Sequence, residues 1–139
     1  MSDLNRFLEA QQDDYVVALA EIQQGKKRSH WMWYIFPQLE ELGISSRAKY
    51  YGIKNKEEAL NYLKNEVLGR RLKEISSALL RLNSNDATQV MGEPDDLKLR
   101  SCMTLFSVLP DTDPVFQKVL NKYFEGQGDP KTLKFLNKN

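Results

Sequence analysis

The 139 residues, 41% hydrophobic and 28% charged, fit one ordinary domain that can fold without a metal or a disulfide. One cysteine excludes an internal disulfide, and with one histidine it excludes zinc sites of four cysteines or of two cysteines and two histidines. Twenty basic and nineteen acidic residues leave a net charge of +1, without the broad positive field expected of a nucleic-acid-binding protein. The first thirty residues hold five acids and no long apolar run, which indicates neither a signal peptide nor a membrane span, so we expect a cytoplasmic protein.

The first predicted element is a long amphipathic helix over residues 3–24, because apolar side chains recur there at helical spacing. Gly25 is typical of a helix end, and three basic residues follow it beside the negative end of the helix. The next segment, SHWMWYIFPQ at residues 29–38, is too rich in aromatic residues for periodicity to decide its structure. Ser29 can cap a helical turn and Pro37 disfavours helix just before it, so we predict a short buried helix there.

The middle of the chain contains three further helical signals. Ser45 or Ser46 can cap a short turn over the sequence RAKYY. Asn55, with Glu58 three residues later, has the form of a capping box ahead of the next helix. Leucine and isoleucine then recur at intervals of three and four residues, which predicts a longer helix over residues 66–82.

Acid–proline pairs punctuate the second half of the chain, at Glu93-Pro94, Asp113-Pro114 and Asp129-Pro130. Proline is preset for the first helical position, and the acid can accept a bond from the free amides at the positive helix end. These pairs predict helices over 94–108, 114–124 and 130–137, and the polar stretch 83–93 is predicted to be irregular with room for one short turn. The whole pattern predicts an all-α single domain over residues 1–139 with about seven helices, several of them short, and with the aromatic segment packed against the helix that begins at Pro94.

The helix predicted at 94–108 carries the first candidate site. Asp96, Arg100 and Thr104 recur every four residues on a second face, and Lys98 lies beside them. Arg100 and Lys98 could hold a phosphate or a carboxylate while Asp96 orients the guanidinium or accepts a hydroxyl. The alternative is a solvated helix face with an Asp96–Arg100 pair worth about 0.3–0.5 kcal/mol.

The aromatic segment is the second candidate. Trp33 could stack a base or nucleoside while Lys27 or Arg28 meets its phosphate, although aromatic residues this dense also make a core. His30 is the natural general acid or base, because imidazole is the side chain that titrates near neutrality, and the alternative is a hydrogen-bonded structural histidine. Cys102 lies on an apolar stripe and is interpreted as a core residue rather than a nucleophile. No P-loop, dinucleotide, esterase or zinc-protease motif occurs.

Five segments are distinctive in composition and order. They are DLNRFLEAQ at 3–11, SHWMWYIFPQL at 29–39, YLKNEVLGRRL at 62–72, DDLKLRSCMTLF at 95–106 and VLNKYFEGQGD at 119–129. Together they resemble the domain of unknown function 1810 family over nearly the entire chain. The resemblance implies a small, mostly helical protein of bacterial type that stands alone as one domain. It implies no reaction, cofactor or catalytic residue, and nothing in these residues supports the name calpastatin that some members carry. The family usually has Ser-Ser-Met-Thr where this chain has a cysteine at position 102, which further weakens a role for the thiol.

The two strongest family motifs coincide with the two candidate segments, which favours a shared site. His30, Trp33 and Gln38 also carry polar groups that a purely apolar core would not need. We therefore predict a pocket that binds or processes an anionic small molecule such as a nucleotide or sugar phosphate, by glycosidase or hydrolase chemistry in its enzymatic form. The alternative is a protein interaction module without catalytic activity; nucleic-acid binding is the weakest hypothesis, and no metal or cofactor is expected. The predicted catalytic residues are His30 and Asp96, and the predicted ligand-binding residues are Trp33, Gln38, Lys98, Arg100 and Thr104.

Overall fold

The computed structural model describes residues 3–138, which form nine α-helices and one 3-10 turn. The α-helices are α1 (Asn5–Gln23), α2 (Met32–Ile35), α3 (Ser46–Tyr50), α4 (Lys56–Lys64), α5 (Glu66–Leu80), α6 (Ala87–Met91), α7 (Asp95–Ser107), α8 (Val115–Phe124) and α9 (Pro130–Lys138), with the 3-10 turn at Glu40–Leu42. The prediction of an all-α fold is confirmed, and the long helices lie where the periodicity placed them. The helix number exceeds the prediction because α6 forms inside the stretch expected to be irregular and α3 is a full helix rather than a turn.

The helix ends follow local capping chemistry at most of the predicted positions. Asp113 accepts a hydrogen bond from the amide of Val115 at 2.8 Å, and Asp129 accepts one from the amide of Thr132 at 2.9 Å. Helices α7 and α8 both begin one residue after their proline. At α7 the amide-bonding acid is lacking, since Glu93 is not among the hydrogen-bonded side chains of residues 3–138.

Helix α7 runs through the middle of the apolar core. It packs against α4, α6, α8 and α9, and all six residues from 101 to 106 are buried. A helix that is covered on several sides keeps only part of its surface open to solvent, and on α7 this part includes Leu97. The helices packed against α7 therefore decide which of its predicted polar side chains are covered and which remain accessible to a ligand.

The turn between α4 and α5 is tight. Asn65 ends α4 and caps α5 by accepting hydrogen bonds from the amides of Val67 and Leu68, each at 3.0 Å. A Cβ atom built on Gly69 would lie 2.0 Å from the carbonyl oxygen of Leu63, so only glycine permits this approach. None of the helices in the described part of the chain has the length and apolarity needed to cross a membrane.

Candidate functional site

The segment that carries the aromatic motif is held by one buried carboxylate at the end of α1. Glu21 is 8% exposed, and its Oε1 accepts hydrogen bonds from the amides of Arg28 and Ser29 at 2.8 and 3.0 Å and from the indole Nε1 of Trp31 at 2.9 Å. Its Oε2 accepts one from the Ser29 hydroxyl at 2.5 Å. Burial alone would raise the pKa of Glu21, but the hydrogen bonds from Ser29, Arg28 and Trp31 outweigh it and lower the pKa to about 2. The loop therefore has a fixed shape and presents Lys27 and His30 in defined positions.

Sequence analysis missed Glu21. The signal was present, since an acid stands next to Ile22 on the apolar side of a predicted amphipathic helix. A carboxylate at such a position must find several donors when it is buried. What the sequence could not show is that those donors come from the loop that follows the helix.

The loop and the start of α7 enclose a hollow of about 300 Å³, which we call the basic cleft. Its lining residues are Lys27, His30, Met32, Trp33, Glu93, Pro94, Asp95 and Lys98. Three predicted site residues, His30, Trp33 and Lys98, thus line one hollow. The imidazole is exposed and the indole of Trp33 is half-buried.

Two lysines of the basic cleft share one carboxylate. The Nζ of Lys27 lies 2.9 Å from Oδ2 of Asp95, and the Nζ of Lys98 lies 3.7 Å from Oδ1 of the same residue. Lys27 also donates to the carbonyl oxygen of Ser29 at 2.5 Å and lies 4.9 Å from the ring centre of Trp31. Lys27 is nearly buried, whereas the Lys98 side chain keeps 28% of its surface exposed at a looser contact. Lys98 is therefore the freer of the two ammonium groups to turn toward a ligand.

Arg47 adds a third cation that the sequence did not reveal. Its guanidinium carbon lies 4.9 Å from the ring centre of Trp33, and the ammonium of Lys98 lies 5.7 Å from the same ring. Backbone hydrogen bonds from Glu40 to Ile53 at 2.8 Å and from Ile53 to Gln38 at 2.9 Å close the chain between them into a loop that carries α3 and Arg47. The indole of Trp33 thus has two cations over its ring rather than an open stacking surface.

Gln38 lies next to the basic cleft rather than inside it. It lines a small hollow together with Trp33 and Lys98, with space of about 10 Å³. That space is about the size that holds one water molecule. Gln38 also lines a larger groove of about 670 Å³ beside α7.

Arg100 and Thr104 have a structural role on another side of α7. The guanidinium of Arg100 donates to the carbonyl oxygens of Gln127 and Gly128, both at 3.0 Å. The hydroxyl of Thr104 accepts from the amide of Asp129 at 2.8 Å and donates to the carbonyl oxygen of Arg100 at 2.7 Å. The two side chains share a face, as their spacing predicted, but that face covers the turn before α9 and contributes nothing to the lining of the basic cleft.

Asp96 is also committed to the fold. Its Oδ2 accepts a hydrogen bond from the hydroxyl of Thr88 at 2.6 Å, which joins α6 to α7. The expected Asp96–Arg100 pair is not among the ion pairs of residues 3–138. Asp96 is buried outside the cleft lining, so it has no access to a ligand there.

Cys102 is fully buried, and burial raises the pKa of its thiol well above the ordinary value. A buried thiol with a raised pKa holds little thiolate at neutral pH, and thiolate is the nucleophilic form. The interpretation of Cys102 as a core residue agrees with both observations.

The chain belongs to the family described as Protein of unknown function (DUF1810), which matches residues 1–136. It is similar to the conserved hypothetical protein Rv1873 from Mycobacterium tuberculosis, whose crystal structure superposes with a TM-score of 0.95 at 42% sequence identity. The match covers 97% of this chain and 96% of that chain. No curated protein matches the sequence. The family resemblance drawn from the five motifs is confirmed, and it supplies a fold without a reaction.

Proposed function

We propose that this family member binds a small phosphorylated anion, of the size of a sugar phosphate or nucleotide, in the basic cleft. The observation that carries the proposal is the meeting of Lys27 and Lys98 at one carboxylate, beside the exposed imidazole of His30 and the indole of Trp33. Two ammonium groups this close form a site for a group with several negative oxygens.

An anion in the basic cleft must compete with Asp95 for the two lysines. Asp95 and Glu93 oppose the two lysines within the cleft lining, so a phosphate must take Lys98 from the 3.7 Å contact with Asp95. Arg47, which lies over Trp33 and is exposed, supports this exchange because it adds a positive charge beside the cleft. Within residues 3–138, Arg47 is not among the ion-paired residues.

His30 is our candidate for proton transfer on a bound ester. Imidazole is the side-chain type that exchanges protons near neutral pH, and an exposed ring at the cleft can reach a phosphate or leaving-group oxygen. Asp96, Arg100 and Thr104 have no part in this proposal, because their polar atoms are hydrogen-bonded within the fold.

The test is isothermal titration calorimetry and thermal unfolding with AMP, ribose 5-phosphate and inorganic phosphate. A ligand present at 100 times its Kd adds about 2.7 kcal/mol of stability. We expect Lys98→Met to weaken binding by about tenfold, whereas Lys118→Met on α8 serves as the matched control with unchanged binding.

The variant Asp95→Asn distinguishes a specific anion site from a general loss of structure. Removing the competing carboxylate frees both lysines, so affinity for AMP should rise by several-fold rather than fall. No response of the wild-type chain to all three probes, or weaker binding after Asp95→Asn, would refute the proposed function.

A further inference from the structure

A groove of about 670 Å³ adjoins the basic cleft, and Pro94 and Lys98 line both. One wall is the end of the 3-10 turn and the residues after it, with Leu42 and Ile44, and the other is Pro94 and the first turn of α7, with Leu97. The volume falls in the range of about 300–1,000 Å³ that holds drug-sized ligands, whereas the basic cleft alone is at its lower limit. A ligand held at Lys98 can therefore extend into a second space. Its aliphatic residues stand beside polar and charged ones, which are Gln38, Glu41, Ser101, Asp129 and Lys131.

Two aliphatic side chains on opposite walls of this groove are strongly exposed. Ile44 is 93% exposed and Leu97 is 61% exposed. A single exposed aliphatic side chain is ordinary on a protein surface, but isoleucine is among the residues most often buried. Two of them facing one groove beside a cluster of cations indicate a surface that an apolar group covers.

The chemistry of the neighbouring groups narrows the ligand. Arg47 and Lys98 already lie over the ring of Trp33, so this ring is occupied by cations and is a poor surface for stacking a base. The apolar surface next to the cations is aliphatic, supplied by Leu42, Ile44 and Leu97, and such a surface suits a flexible hydrocarbon chain.

Building on the function proposed above, we propose that the ligand is the phosphate ester of a single apolar chain. Lys27 and Lys98 hold the phosphate in the basic cleft, and the chain passes Pro94 to lie between Ile44 and Leu97. The partner is a dispersed amphiphilic molecule rather than a membrane surface or a peptide.

The experiment compares butyl, hexyl and octyl phosphate, all below their micelle concentrations, with inorganic phosphate and AMP in the calorimeter. Each buried methylene is worth about 0.8 kcal/mol when fully covered, so half coverage in an open groove gives about fourfold tighter binding for every two carbons. Each protein molecule should bind one molecule of octyl phosphate.

Ile44→Ser and Leu97→Ser test the groove itself. Each substitution removes one wall of the apolar surface, so the gain in affinity from butyl to octyl phosphate should be several-fold smaller in these variants than in the wild type. Val16→Ser on α1 is the matched control, since Val16 is 73% exposed and lies outside the groove, and it should keep the full dependence on chain length.

The outcomes separate this inference from the proposed function. If AMP and inorganic phosphate bind but the length of the alkyl group does not change the affinity, the groove does not bind an apolar chain and only the proposed anion site is supported. If none of the phosphates binds, both fail. If the protein sediments with phosphatidate-containing vesicles but does not bind octyl phosphate one to one, the groove binds a membrane surface and the inference is overturned. If the protein binds an apolar acidic peptide but not octyl phosphate, the inference is overturned as well.

Discussion

Replacing Glu21 by glutamine tests whether one buried charge stabilises the loop that carries the basic cleft. The glutamine side chain has nearly the same shape and keeps an oxygen for the three N–H donors, so the variant mainly removes the negative charge. The pKa of Glu21 falls from an ordinary 4.5 to about 2 in the folded chain, which corresponds to about 3 kcal/mol of stability at neutral pH.

The pH dependence has a definite sign. The folded-state pKa of Glu21 lies below the unfolded value, so its stabilisation is complete above pH 4.5 and is lost as the pH falls toward 2. Between pH 7 and pH 3, about 2 kcal/mol of the difference between wild type and variant should disappear.

The assay is urea unfolding followed by circular dichroism at several pH values from 3 to 7. We expect Glu21→Gln to be about 3 kcal/mol less stable than wild type at pH 7 and about 1 kcal/mol less stable at pH 3. Glu9→Gln on the exposed side of α1 is the control and should change stability by less than about 0.5 kcal/mol at either pH. A gap that stays constant with pH, or that is below about 0.5 kcal/mol at pH 7, would refute the role assigned to the charge.

Two further predictions concern the fold around the site. Arg100→Met should cost about 2 kcal/mol in urea unfolding, because two charge-assisted hydrogen bonds to the carbonyl oxygens of Gln127 and Gly128 are lost. The affinity for AMP should remain at the wild-type value. A drop in affinity without a drop in stability would indicate that Arg100 binds the ligand. Gly69→Ala should cost about 3 kcal/mol or more, since its Cβ would lie 2.0 Å from the carbonyl oxygen of Leu63, and a loss below about 1 kcal/mol would contradict that close approach.

Helix positions and several caps follow from neighbouring residues and were predictable. Asn55 accepts a hydrogen bond from the amide of Glu58 at 2.9 Å, as the capping motif predicts. The second half of that motif is absent, because Glu58 turns to the amide of Lys54 and to the guanidinium of Arg6, each at 3.0 Å. The local part of the motif depends on chain geometry alone, whereas the carboxylate found a stronger partner on another helix.

The sequence by itself determined the family, through the five motifs that resemble it. It also determined the all-α class and the residues that share each helix face, because these depend on composition and on a period of 3.6 residues. Only the tertiary structure decided what covers each face. Arg100 and Lys98 are two residues apart on α7 and so point to nearly opposite sides, but only the fold shows that Arg100 meets the turn before α9 and that Lys98 meets Trp33 of α2. Arg47 reaches Trp33 through a loop closed by backbone hydrogen bonds. Helical periodicity sets the direction of a side chain. The path of the whole chain decides which groups it contacts, and that path depends on packing between residues far apart in the sequence.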